Sequence, residues 1–171
     1  MSKYQIAFVA QPEQVLYGLH QQSNNQTQRK DIPSLSAQFY ARIGATPKAV
    51  LPLYIVSRDY DDAAGTFTLF IGDDGSNHGL ERETLPGGTY AKLEVRPKLG
   101  LLWGLAVGAA KRGFYIQWLP RSPYEAVNLE YELHTEKSVG KRPAVDLLFA
   151  IRSKSAHETN ESNALDEKTK F

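Results

Sequence analysis

The sequence contains no cysteine among its 171 residues. A disulfide framework, a thiolate zinc site and a thiol nucleophile are therefore all excluded. Long hydrophobic runs are missing too, because the most apolar stretch, residues 99–110, is too short and too rich in glycine to cross a bilayer. The chain also begins without the basic and then apolar run of a secretory signal. We therefore expect a cytoplasmic protein with no membrane partner.

Neither sign of charge dominates the composition. Twenty Lys and Arg residues against 19 Asp and Glu residues give a formal net charge of +1. The basic residues form isolated pairs such as Lys111-Arg112 and Lys141-Arg142, and no helix-turn-helix pattern is present. Proteins that bind phosphate backbones concentrate positive charge on one surface. We expect no direct nucleic-acid partner.

Motifs that hold cofactors, metals or nucleophiles are also lacking. Neither glycine pattern for phosphate binding occurs, and there is no G-x-S-x-G elbow. Residues 73–83 match the start of a calcium-binding loop, but Leu85 stands where a bidentate glutamate is required, so we predict a solvated turn. The histidines lack metal-ligand spacing and are expected at the surface or in turns; they are His20, His78, His134 and His157. The sequence predicts no cofactor and no metal.

The hydrophobic pattern that is present alternates between strand and helix periods, and the same order occurs twice. The first half predicts strands, one helix preceded by Asp31 as its cap, and two further strands, at residues 3–10, 14–22, 32–43, 53–58 and 66–72. The second half repeats this order at residues 89–95, 99–118, 127–134 and 145–152. We predict an α+β fold of duplicated βαββ units with an antiparallel sheet, helices on one face and a ligand groove at the seam between the units.

Two segments depart from these regular patterns. The second helix contains Gly104, Gly108 and Gly113, each of which costs about 1 kcal/mol relative to alanine in a helix interior. We expect that helix to be bent or interrupted. Residues 153–171 are polar with few apolar side chains, and we predict a disordered tail after a domain of residues 1–152, with a docking motif as the alternative.

Residues 128–134 alternate strictly between polar and apolar side chains. Leu129, Tyr131 and Leu133 share one face of the predicted strand, and Glu130 and Glu132 share the other. That acidic face is either solvated or directed into the seam, where aromatic residues are frequent. A carboxylate in a pocket lined with aromatic rings favours lipophilic cations, because charge attraction and cation–π contacts act together.

Three segments resemble GyrI-like proteins, which are similar to the effector-binding domains of AraC-type and MerR-type regulators. The family order GG-x-YA, W-L-x-x-S-x-Y and [FL]-E is matched by residues 85–91, 118–124 and 129–130, and residues 3–6 and 15–20 are similar to the first strands. The resemblance covers residues 3–152. It implies a duplicated βαββ fold with a central groove for small aromatic cations, and Glu130 falls on the pocket glutamate. The family commonly has tyrosine where this chain has Glu132.

These observations leave three hypotheses open. The first is a stand-alone small-molecule-binding protein that senses or sequesters drugs or toxins, with Glu130 as its anchor; the predicted wall residues are Tyr54, Tyr90, Trp103, Trp118 and Phe149. The second is implied by the resemblance, because some GyrI-like proteins are implicated in hydrolysing cyclopropane-bearing genotoxins: a hydrolase of that class, in which Glu130 or Glu132 acts with a neighbouring tyrosine. The third is suggested only by the name of the resembled family: a protein that contacts gyrase or a transcription regulator.

Overall fold

A computed structural model describes residues 5–47, 49–75, 79–97 and 103–155. The elements of its first half are β1 (Ile6–Gln11), β2 (Gln14–Asn24), α1 (Gln28–Ile43), β3 (Leu53–Asp61), β4 (Thr66–Asp73) and β5 (Glu81–Leu85). Those of its second half are β6 (Gly88–Val95), α2 (Trp103–Arg112), β7 (Tyr124–His134) and β8 (Val145–Ser153). The described residues therefore form the predicted α+β fold.

The strands form one antiparallel sheet in the order β1-β6-β8-β7-β3-β4-β2-β5. The unit β2-α1-β3-β4 supplies one half and the unit β6-α2-β7-β8 supplies the other. The order reads the same from both ends when corresponding strands are exchanged, and β1 and β5 flank the two halves equivalently. This symmetry confirms the predicted duplication, and the seam lies where β7 pairs with β3, with Tyr131 opposite Val56.

Two short connections curl this sheet into a roll. Residues 12–13 join β1 to β2, and residues 86–87 join β5 to β6, although each pair of strands is separated by five others in the sheet. Such a connection reaches about 11 Å, whereas a flat sheet would separate these strands by roughly 29 Å. The concave side of the roll is filled by buried side chains from β2 to β8, which we call the interior core; they include Leu16, Phe70, Leu85 and Leu148.

Both helices cover the outer face of the roll, as predicted. Leu147, Glu132, Ile55 and Ile71 are successive register partners across four strands, so they share that face. Leu147 packs in a cluster with α2, whereas Ile55 and Ile71 pack in a second cluster with α1. The two helix-covered halves therefore meet at β7 and β3.

Helix α1 begins earlier than its apolar periodicity predicts. Its N-cap residue is Thr27, and its C-cap residue, Gly44, has a φ of 66°. Asp31, predicted as the cap, lies in the first turn and accepts hydrogen bonds from Ser23 Oγ at 2.7 Å and Thr27 Oγ1 at 2.5 Å. The prediction of the cap was wrong because the first turn of the helix is polar and gives no apolar signal.

The second helix is interrupted, as predicted. Helix α2 continues into a π-helical segment, Gly113–Trp118, and then a 3₁₀ turn, Leu119–Arg121. A Cβ added at Gly104 or Gly108 would meet nothing within 4 Å. Close packing therefore does not require those two glycines, and the change of helix type occurs at Gly113. Residues 98–102 of the predicted helix lie outside the described residues.

The prediction of a solvated turn over residues 73–83 was wrong in its second part. Strand β5 begins at Glu81, and Glu83 is buried. His20 is not in a turn but on β2, where its ring nitrogens lie 2.6 Å from Glu81 and 2.9 Å from Glu83. The acidic side chains of this short strand form ion pairs with residues of other strands. Arg58 on β3, for example, lies 2.6 Å from Glu83. Residues 76–78 lie outside the description.

The predicted tail is described only at its start. Strand β8 includes Ser153, and the Lys154 backbone N–H donates to the Pro123 carbonyl at 2.9 Å. Residues 156–171 lie outside the described part of the chain, as do residues 1–4. Within the part that is described, no helix has the length and apolar character needed to cross a membrane.

Candidate functional site

The acidic face of β7 lies under the second helix, at the seam between the two units. Glu130 pairs with Phe149 on one side and Ser57 on the other, so all three side chains share the helix-covered face. The side chains of Glu130 and Glu132 are only 14% and 11% exposed. Of the two placements left open by the alternation, the one directed towards the seam is therefore observed.

A lysine and a tyrosine from the helical segment, by which we mean α2 and the π-helical residues that follow it (residues 103–118), contact these carboxylates. Lys111 Nζ lies 2.7 Å from Glu130 Oε1 and 3.7 Å from Glu132 Oε1. The Tyr115 hydroxyl donates to Glu130 Oε2 at 2.6 Å. Lys111 and Tyr115 are four residues apart, which places both on one side of the helical segment. Both oxygens of Glu130 therefore face a donor.

Burial and charge act in opposite directions on these groups. Burial alone would lower the pKa of Lys111, but attraction to Glu130 and Glu132 outweighs it and raises that pKa overall. Burial alone would raise the pKa of Glu132, but contact with His134 and the charge of Lys111 outweigh it and lower that pKa. Burial and the charge of Glu130 raise the pKa of Tyr115. At neutral pH the site contains an ammonium, a Glu132 carboxylate and a neutral phenol.

One end of this acidic face is bounded by His134 and Trp103. His134 Nε2 lies 3.4 Å from Glu132 Oε2. That nitrogen makes no hydrogen bond, since 3.4 Å is longer than the ordinary distance between a nitrogen donor and an oxygen acceptor. The Trp103 ring meets the His134 ring edge-on, with centroids 6.1 Å apart. The seam thus carries a charged centre with an aromatic side chain at its end.

Stacked rings border the other side of Glu130. Phe114 lies parallel to Phe149, with ring centroids 3.9 Å apart, and Tyr115 meets Phe149 edge-on at 5.4 Å. Trp118 also stacks on Phe114, with ring centroids 5.2 Å apart. Of the predicted wall residues, Phe149 is therefore the register partner of Glu130, whereas Trp118 contacts Phe114.

The structure does not bring Tyr54 or Tyr90 to this site. Their rings contact Tyr131 in the interior core, at 5.8 Å and 5.7 Å. Tyr131 is the neighbour of Glu130 on the same strand and therefore points to the opposite face. The Tyr54 hydroxyl accepts a hydrogen bond from Gln14, and Tyr90 donates to the Pro86 carbonyl. Both tyrosines therefore lie in the interior core, on the opposite side of the sheet from Glu130.

Lys111 and Tyr115 were not among the predicted site residues. The sequence does contain a signal for Lys111, because it follows Val107 and Ala110 on a helical stripe that continues to Phe114. A lysine on an apolar stripe needs a buried counter-charge, and Glu130 supplies it.

Residues 5–47, 49–75, 79–97 and 103–155 contain no group of three or more His, Asp or Glu placed to hold a metal ion.

Comparisons with known proteins match this chain through its fold. No family model and no curated protein matches the sequence. An integron cassette protein from Vibrio cholerae superimposes with a TM-score of 0.61 and 12% identity, over 87% of this chain and 97% of that chain. SAV2435, solved bound to tetraphenylphosphonium, gives a TM-score of 0.61 and 12% identity, over 88% and 94% of the two chains.

A third solved structure is the C-terminal domain of EcmrR. It matches with a TM-score of 0.56 and 15% identity, over 89% of this chain and 99% of that domain. In a structure of the EcmrR–DNA complex, the matched part is 59% of the EcmrR chain. The chain described here therefore shares its fold with these solved proteins, and it corresponds in extent to the isolated C-terminal domain of EcmrR.

Proposed function

We propose that this chain is a small-molecule-binding protein whose ligand site lies on the helix-covered face of β7, with Glu130 as its charged anchor. The observation that carries the proposal is the burial of Glu130 at the seam, next to Phe149 and beneath Tyr115. A carboxylate that serves only the surface would be solvated on the outer face of a sheet. Here the fold covers it with a helical segment instead.

Charge favours a cationic ligand. Glu130 and Glu132 face one ammonium, that of Lys111, so the two carboxylates and this ammonium together carry one net negative charge. A unit charge at 4 Å contributes about 4 kcal/mol when the effective dielectric constant is near 20. The ligand we infer is therefore a monocation, small enough to enter between the helical segment and β7.

Aromatic side chains favour a flat or ring-bearing ligand. Phe149, Tyr115 and Trp103 lie around the acidic face, and an aromatic ring in contact with a cation contributes about 0.5 to 2 kcal/mol. Such contacts have little directional preference, so the site would accept several related molecules. SAV2435, which shares the fold, was solved with tetraphenylphosphonium, an aromatic monocation, and this supports the same ligand class here.

Isothermal titration of tetraphenylphosphonium against wild type and Glu130→Gln tests the proposal. We expect Glu130→Gln to bind about tenfold or more weakly, because the anchor charge is lost. Glu125→Gln is the matched control: it removes the same charge from the same strand, but Glu125 is paired with Arg152 at an exposed position. Equal affinity of wild type and Glu130→Gln would show that Glu130 is not the anchor.

One observation favours the hydrolase as a second candidate. The Tyr115 hydroxyl contacts Glu130, which supplies the neighbouring tyrosine that general acid–base chemistry would use. Mass spectrometry of a cyclopropane-bearing substrate incubated with the protein tests this candidate: ring-opened product must exceed the protein-free control and disappear in Glu130→Gln.

A further inference from the structure

The positive charge nearest to the proposed anchor belongs to the protein itself. Lys111 Nζ is within hydrogen-bonding distance of Glu130 Oε1, at 2.7 Å, and its side chain is only 23% exposed. A ligand cation drawn to Glu130 meets an ammonium already in contact with that oxygen. The other oxygen, Oε2, accepts from Tyr115, so a cation that contacts either oxygen must share it with a donor of the protein or displace that donor.

Glu132 makes this arrangement different from a simple ion pair. Its Oε1 lies 3.7 Å from Lys111 Nζ, and its Oε2 lies 3.4 Å from His134. The groups facing Lys111 thus carry two carboxylates against its one ammonium. If Lys111 stays, the site can accept one further positive charge before it becomes cationic; without Lys111 it could accept two.

We propose, resting on the function proposed above, that Lys111 is the specificity-determining residue of the site: it competes with the ligand for Glu130 and limits the ligand to a single positive charge. Its position on the helical segment, one turn before Tyr115, lets one segment supply both partners of Glu130. The lysine therefore weakens the binding of every cation, and it weakens the binding of dications most.

Ethidium and propidium test this inference, since both carry the same flat cationic ring system and propidium adds a second cationic group. Isothermal titration compares them on wild type, Lys111→Met and Arg152→Met. We expect Lys111→Met to bind ethidium about tenfold or more tightly than wild type does, with a larger gain for propidium. Arg152→Met removes the same charge at an exposed position and should leave both affinities within about twofold.

A double variant covers the case in which Lys111→Met fails to fold. Lys111→Gln with Glu132→Gln keeps the net charge of the site at its wild-type value while freeing Glu130 from its ion pair. It should bind ethidium more tightly but retain the wild-type ratio of propidium to ethidium affinity. This outcome separates competition for Glu130 from the limit on total charge.

Each result decides the matter in one direction. If Glu130→Gln weakens ethidium binding but neither lysine variant strengthens it, the inference is overturned and the proposed function stands. If both variants gain but the affinity ratio stays constant in Lys111→Met, the charge limit is wrong. If Glu130→Gln binds as wild type does, the proposed function fails, and the role of Lys111 fails with it.

Discussion

Replacing Lys111 with methionine should destabilise the fold in a way that depends on pH. Methionine keeps much of the length of the side chain but leaves Glu130 and Glu132 buried without their ammonium. Removing one partner of a buried ion pair typically costs 3–5 kcal/mol, and the partial exposure of Lys111 places the expected loss near the lower limit, at about 3 kcal/mol at pH 7. For a chain of this length that lowers the midpoint of thermal unfolding by about 6–12 °C.

The sign of the pH dependence follows from the two shifted pKa values. In wild type the pKa of Glu132 is lowered from its ordinary value of 4.5, so its stabilisation is present above that pH and is lost as pH falls through the folded-state pKa. The pKa of Lys111 is raised from 10.5, so its contribution is present below that pH and is lost in stronger alkali. In Lys111→Met the buried carboxylates lack their ammonium, so the cost of burying their charge is larger than in wild type. Protonation of the carboxylates at low pH removes that cost.

Urea unfolding monitored by circular dichroism at pH 4 and pH 7 measures this effect. The difference in unfolding free energy between wild type and Lys111→Met should be largest at pH 7 and fall to less than about half of that value at pH 4. Arg152→Met, which breaks an exposed pair with Glu125, should cost no more than about 1 kcal/mol at either pH. A difference for Lys111→Met that is the same at both pH values would refute the electrostatic reasoning.

Two further stability predictions use the same unfolding measurement. Gly104→Ala and Gly108→Ala should each raise the free energy of unfolding by about 0.4–1 kcal/mol, because an added Cβ meets nothing within 4 Å. Gly44→Ala should lower it, because the φ of Gly44 is 66°. A loss of stability at all three positions would contradict this reasoning. Phe114→Ala, at a ring 1% exposed, should cost about 3–5 kcal/mol. Phe8→Ala, at a ring 51% exposed, should cost less than half as much, and equal losses would contradict the packing described.

The duplicated architecture could be predicted from the sequence because it depends on local periodicity. The alternation of polar and apolar residues predicts which side chains share each face of β7. The repeated order of strand, helix, strand and strand predicts the two units. Short polar strands are harder to predict from the sequence. Strand β5 carries Glu81 and Glu83, which give no apolar alternation. Those carboxylates are held by His20 on β2 and, for Glu83, by Arg58 on β3, and such partners are distant in sequence.

The structure brings some of the predicted site residues together and not others, and strand register explains the division. Glu130 pairs with Ser57, so odd-numbered residues of β3 near the seam share its face and Tyr54 does not. A slip of one residue would reverse that result for every side chain of the strand. Residue composition carries no information on register, so it cannot tell on which side of the sheet Tyr54 and Tyr90 lie. The hypothesis of a gyrase or regulator partner stays a prediction.

The two units are equivalent in topology but not in charge at the seam. On β7 the residues facing the helices are Glu130 and Glu132, whereas their register partners on β3 are Ser57 and Ile55. The helix that supplies the counter-charge, α2, belongs to the same unit as β7. A duplicated fold thus provides a symmetric seam, and one unit alone provides its ionic chemistry. Because the anchor and its ammonium come from that one unit, changes in β3 should alter the shape of the site without altering its charge.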